Sequence, residues 1–314
     1  MAVRSVALVN YSANLSMQEV HRVAAALQRQ VLNEFASVWE HTGAVIGLHW
    51  SDPLPQGYSA VYLRDDLLAS GPAGVHYFSE SGEAYANVDV TGNRESPWSL
   101  IAGHEVLELI CDPTTDERRK APSIVAGQGD VEYLVEICDP CQNMANAYYI
   151  DGVMVSDFYA PKYFDVFGVG VGRYSMTGAI KRPLEVLPGG YLCWRDSAGQ
   201  WFVGKYGGAS SVNVQPITGF ANIPGDSLRE KIDSYTCAFQ DIGAFAAVDK
   251  THQSKIKAKW KGYLKHCEDL KTFGDRRAKL QQAHHQMLCS NCAGASIQRT
   301  QKFALKRAAQ FTRH

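Results

Sequence analysis

His104, Glu105 and Glu108, in the run WSLIAGHEVLELICDP from Trp98 to Pro113, have the residue types and spacing that metal chemistry needs. Residues four apart lie on one helix face, so His104 and Glu108 can offer an imidazole and a carboxylate to a single cation. Glu105, offset by one position, can reach a water bound to that cation. The pattern reads H-E-x-x-E, the helical H-E-x-x-H zinc arrangement with Glu in place of the second His. The alternative is a half-exposed helix whose polar side meets solvent, and a motif with three fixed positions does not exclude it.

The flanking residues predict a helix that must position this chemistry. Leu100, Ile101, Val106, Leu107, Ile110 and Cys111 are apolar, Ser96-Pro97 supplies a cap with proline at the first helical position, and Asp112-Pro113 ends the run. A histidine and two glutamates inside such a segment need partners or an ion, because buried charge costs several kcal/mol otherwise. Downstream, Glu132 to Pro140 (EYLVEICDP) echoes Glu105 to Pro113 (EVLELICDP) in the same register. The echo predicts two helix ends meeting at one site, with Glu136 facing the metal and Asp139 three residues on.

Stepping outward from the motif, the chain alternates. Val3 to Asn10 reads as a strand. Ser16 to Phe35 reads as an amphipathic helix, with a capping box from Ser16 to Glu19 and an apolar stripe through Val20, Val23, Ala24, Leu27, Val31 and Phe35. Val45 to His49 and Ser59 to Leu63 read as strands, and Gly74 to Phe78 with Glu83 to Val90 as a hairpin about Ser81-Gly82. Thr114 to Asp130 reads as a polar loop. Ala147 to Phe158 reads as a hairpin turning at Asp151-Gly152, and Gly189 to Val203 as another. This order predicts an α/β (α+β) layered fold over residues 1–224. From 225 to 314 the pattern is helical and basic, with Lys255, Lys257, Lys259, Lys261 and Lys265 close together.

The net charge of -1 conceals this division: residues 1–224 carry 14 Lys+Arg against 24 Asp+Glu, and residues 225–314 carry 17 against 8. Nucleic acid, through Lys-rich sequence interleaved with Trp260 and Tyr263, or an acidic protein surface are the partners such a tail suits. No signal sequence or run of about 18 apolar residues stands in the chain, which leads to the expectation of a cytoplasmic protein with reduced thiols and no membrane association.

The element order and the helix motif together resemble the zincin metallopeptidases over roughly residues 3–140. The chain also resembles a group of bacterial and phage proteins that combine an H-E-x-x-E helix with a later E-x-x-D-P segment and a V-S-D-F stretch, here Val155 to Phe158, which would make a virion association natural. The zincin resemblance implies a mixed sheet with a metal-binding helix, His104 and Glu108 as zinc ligands, Glu105 as general base and Glu136 as third ligand. It leaves Asp139 to orient a ligand histidine, or the reverse assignment of the two acids. It also implies that Glu83 to Val90 lies along the cleft as an edge for an extended protein or peptide substrate. Tyr149 or Tyr159 would serve as oxyanion donor. With Glu108 for the second His the site is harder and more anionic, so Mn2+ or Fe2+ join Zn2+ as suitable ions. The contrasting function is a non-catalytic binding or structural protein of phage type that keeps the fold.

Other groups weigh less. Cys138-x-x-Cys141 and Cys289-x-x-Cys292, with His284 or His285, could build a structural zinc site, but 148 residues separate the two pairs. His76 on its strand is expected to be a hydrogen-bonded structural histidine rather than an extra ligand.

Overall fold

The computed structural model describes residues 2–65, 73–79, 82–91, 97–168, 170, 172–208, 211–223 and 228–238. It is a mixed α/β structure with two five-stranded sheets, two short two-stranded pairings and few helices. The lysine-rich stretch, Trp260, Tyr263, His284, His285, Cys289 and Cys292 lie outside the described residues.

The first sheet contains β1 (Ser5–Asn10), β2 (Val45–His49), β3 (Tyr58–Arg64), β4 (Gly74–Phe78) and β5 (Ala84–Asp89) in the spatial order β2-β1-β3-β5-β4. All neighbours are parallel except β4, which runs antiparallel to β5. The central strands β1 and β3 are buried on both faces, which explains their near-continuous apolar sequences. Helix α1 (Met17–Gln30) crosses from β1 to β2, and Ser16 accepts from the Glu19 amide at its start as the capping box predicts. It continues through a π-helical turn and a further α-turn to Trp39.

The strand expected to form a sheet edge is an interior one. Ala84–Asp89 lies inside the sheet between β3 and β4, so its backbone is hydrogen-bonded on both sides. The outermost strand is Gly74–Phe78, the first arm of the hairpin rather than the second. Alternation along β4 turns Val75 and Tyr77 to the tyrosine-rich face of the sheet and Gly74 and His76 toward the motif helix.

That helix, α2 (Trp98–Cys111), packs against the first sheet and is buried over twelve of its fourteen residues. Its N-cap is Pro97, whose side chain cannot accept a hydrogen bond, and Ser96 lies outside the described residues. Arg4 donates to the carbonyls of Ile110 and Cys111 at the other end, a cation on the negative pole of the helix. Leu107 and Ile110 are fully buried, and each such side chain contributes about 1.5–3 kcal/mol.

The second sheet is antiparallel: β6 (Arg118–Pro122), β7 (Asp130–Leu134), β10 (Tyr191–Arg195), β11 (Trp201–Tyr206) and β12 (Val212–Pro216), in the order β12-β11-β10-β7-β6. Between β7 and β10 the hairpin of β8 (Tyr148–Ile150) and β9 (Val153–Val155) forms with Asp151 and Gly152 at the turn, both at positive φ. Two readings are corrected. The stretch from Thr114 to Asp130 contains β6 instead of only loop. The segment from Glu132 is no helix: Val131, Tyr133, Val135 and Ile137 alternate at strand period and are buried together, and a 3-10 turn (Asp139–Cys141) follows.

Helix α3 (Leu228–Ala238) is the described part of the C-terminal region. Ile232 joins Leu134, Tyr191, Cys193, Trp201 and Val203 in an apolar cluster against the second sheet. No helix among the described residues is long and apolar enough to cross a membrane.

Candidate metal centre

Four separate pieces of chain deliver titratable groups to one buried place. Helix α2 supplies His104, Glu105 and Glu108, strand β4 supplies His76, the segment after β7 supplies Glu136 and Asp139, and α3 supplies Arg229. Glu105 and Glu136 are each 4% exposed and Glu108 is 0% exposed, so charge here cannot be left to solvent.

His104 Nε2 stands 3.2 Å from Glu108 Oε2 and 3.3 Å from Asp139 Oδ1. The first pairing is the one expected from i, i+4 spacing on a helix. Glu108 is fixed through its other oxygen, Oε1, which accepts from the Cys138 amide at 3.1 Å. The echoed segment therefore does meet the motif helix, as an extended chain entering a 3-10 turn.

Glu136 and Asp139 face different histidines. Asp139 Oδ1 faces the same ring nitrogen of His104 that faces Glu108. Glu136 Oε2 instead lies 3.8 Å from His76 Nε2. Arg229 Nη1 holds the outer oxygens of both acids, 2.9 Å from Glu136 Oε1 and 3.1 Å from Asp139 Oδ2, while its Nη2 donates to the Tyr191 hydroxyl at 2.9 Å.

His76 is more central than a structural histidine on a strand. It is 0% exposed, and neither ring nitrogen has a hydrogen-bond partner. Its Nδ1 lies 3.4 Å from Glu105 Oε2 and 3.6 Å from Glu108 Oε2, both of which also lack one. Three overlapping sets of ligand-type residues fall within 4.8 Å of one another: His104, Glu108 and Cys138; His76, Glu105 and Glu108; Glu108, Glu136 and Asp139.

The electrostatics follow from this crowding. Burial lowers the basicity of His104, but the Glu108 charge and hydrogen bonds to Asp139 and Glu108 outweigh it, and the imidazole is raised well above its ordinary value. His76 is raised also, burial and the Arg229 charge being overcome by Glu105 and Glu108. Against burial, the His104 charge and hydrogen bond hold Glu108 far below the usual carboxylate range, with Arg229 and His76 assisting. Burial and the neighbouring acids push Glu136 well up despite Arg229. Each of these shifts runs in the direction that lowers the net charge of the cluster, except that of Glu108.

Neither tyrosine proposed as oxyanion donor joins the cluster. Tyr149 is 65% exposed on its hairpin, whereas the acids are buried. Tyr159 is a core aromatic stacked on Tyr163 with ring centroids 4.3 Å apart, and its hydroxyl has no hydrogen-bond partner. Cys138 and Cys141 are free and buried, and burial raises both thiols well above their ordinary value, which removes them as thiolate nucleophiles. Arg229 and Tyr191 escaped sequence reasoning, since no local pattern links them to the motif.

Comparison of the chain with protein-family models, with curated proteins and with solved structures finds no match.

Proposed function

We propose that this cluster is a metal centre and that the protein is a metal-dependent hydrolase of peptide bonds with a zincin-like arrangement. The observation that supports it most is His104 Nε2 lying 3.2 Å from Glu108 Oε2 and 3.3 Å from Asp139 Oδ1, beside buried oxygens of Glu105, Glu108 and Glu136 that have no hydrogen-bond partner. Ligand separations of 3.2 and 3.3 Å are close to the roughly 3.4 Å edge of a tetrahedron with 2.1 Å bonds. Imidazole with carboxylates suits Zn2+, and equally Mn2+ or Fe2+. The strand, helix, strands and motif-helix order supports the zincin-like reading.

A divalent ion there would polarise a scissile carbonyl and acidify water. Glu105, next to His104 on the helix, would serve as the proton acceptor for such water and the proton donor to the leaving amine. His104, Glu108 and Asp139 would hold the ion, and Arg229 holds Asp139.

One observation favours the non-catalytic alternative, a binding or structural protein that keeps the ion. His104 is the most exposed of the ligand-type side chains at 12%, and the space among Glu136, Asp139, Tyr191 and Arg229 is too tight for a water. The deciding experiment is elemental analysis of the full chain beside His104→Ala, Glu108→Ala and Asp139→Ala, followed by a peptide-hydrolysis screen with Glu105→Gln as control. Bound metal lost in the folded ligand variants, with hydrolysis abolished in Glu105→Gln, supports the enzyme; metal without hydrolysis moves the reading to the binding protein, and no metal ends both.

A further inference from the structure

We propose that the centre holds two divalent cations sharing Glu108, the second framed by His76 Nδ1, Glu105 Oε2 and Glu108 Oε2. The inference rests on the metal-centre reading above and extends it by a second site on a different strand.

The case begins with His76. An imidazole buried completely, with both nitrogens lacking a hydrogen bond, is costly unless something else engages it. Its Nδ1 points at two carboxylate oxygens that also lack hydrogen bonds, at 3.4 and 3.6 Å. Those separations are long for an N–H···O bond, and close to the edge of about 3.4 Å that a tetrahedral ion imposes. Behind the ring, Nε2 faces Glu136 Oε2 at 3.8 Å, the direction from which a carboxylate fixes the tautomer of a ligating histidine. Arg229 in turn holds the other oxygen of Glu136.

A single ion does not use both histidines. His76 and His104 each approach Glu108 Oε2, yet they fall in different ligand sets and no set contains both. Glu108 belongs to all three sets, which is the place of a bridging carboxylate.

In this arrangement Glu105 is a ligand through Oε2, and Oε1 retains the proton-accepting role. The chemistry is that of two-metal hydrolytic sites, whose ions sit about 3.5–4 Å apart.

The test loads the full chain with Mn2+, removes free metal by gel filtration, and reads metal per chain together with the electron paramagnetic resonance spectrum. Two equivalents and a spin-coupled spectrum are expected, with His76→Ala and His76→Gln each retaining one equivalent and the uncoupled six-line signal. One equivalent in the parent, whether or not the His76 variants keep it, overturns the second site and leaves the single-ion reading standing. Two equivalents with no spin coupling place the ions apart and overturn the shared Glu108. No bound metal at all overturns the metal centre itself. The parent spectrum decides the matter even if a His76 variant fails to fold.

Discussion

Arg229 Nη1 donates to Asp139 Oδ2 at 3.1 Å across 90 residues of chain, tying the helix after the second sheet to the turn that meets the motif helix. Both side chains are buried, at 5% and 2% exposure. Removing one partner of such a pair strands the other charge, at a cost of roughly 3–5 kcal/mol. Arg229→Ala is therefore expected to lower the midpoint of urea unfolding by that order in metal-free protein. Arg229→Lys recovers only part, since an ammonium cannot reproduce the separate Nη1 and Nη2 contacts. A change below about 0.5 kcal/mol in Arg229→Ala would show that α3 does not anchor the acids.

Protons and metal compete for the same atoms, which fixes a pH dependence. His76 and His104 are raised in the folded protein, so the stability they lend is complete below their unfolded value of 6.5 and is lost as pH climbs through the folded values. Glu136, also raised, acts in the same direction from 4.5 upward. Glu108 has the opposite sign, contributing above 4.5 and losing its contribution only in strong acid. Metal-free protein should thus weaken from pH 6 to pH 8. Zinc binds the deprotonated ligands, so the rise in Tm on adding zinc should be larger at pH 8 than at pH 6. Paired melting curves with zinc and with chelator measure it, and an equal or smaller rise at pH 8 would contradict ligation by these groups.

Gly74 connects the edge strand to the site by the absence of a side chain. A Cβ there would run into Glu105 Oε1 and come within 2.7 Å of Ile101 Cγ2. Gly74→Ala must push β4 or Glu105 aside, and overpacking of this kind costs about 1–3 kcal/mol. The expected result is a lower Tm together with weaker metal binding. A variant with parental stability and metal content would mean that β4 can shift freely against α2.

Much of this arrangement could be read from the sequence, for identifiable reasons. Helix α1, the first-sheet strands and the motif helix carry strong periodicity, and His104 meets Glu108 as the spacing dictates. The echo of EVLELICDP in EYLVEICDP misled about conformation. The second copy puts Tyr133 where the first has Val106 and Val135 where the first has Glu108, and its Val-Tyr-Val-Ile alternation fits a pleat. Yet the echo did mark a meeting point, since the Cys138 amide binds Glu108. His76 was undervalued because a histidine on a strand discloses nothing about what lies across from it. Arg229 was invisible because its partners are supplied by tertiary contacts alone.

The V-S-D-F stretch, Val155 to Phe158, is tied into the fold through Asp157 and Ser156. Asp157 Oδ1 accepts from the Phe158 and Thr177 amides at 3.0 Å each, and Oδ2 accepts from the Thr177 hydroxyl at 2.6 Å. Its neighbour Ser156 gives its carbonyl to Gln30 of α1 at 2.7 Å. Asp157 therefore pins the 175–177 loop beside the chain that leaves the β9 hairpin, and faces no histidine of the cluster. Asp157→Ala leaves the buried Phe158 amide unsatisfied, at about 1–3 kcal/mol before relaxation, and removes the acceptor of the exposed Thr177. The expected outcome is a destabilised protein, by urea unfolding, that still binds its full complement of metal when folded. Asp157→Asn, which keeps acceptance at one oxygen, should lie between the two. Loss of metal from folded Asp157→Ala would instead assign this aspartate to the centre and move the boundary of the site toward the second hairpin.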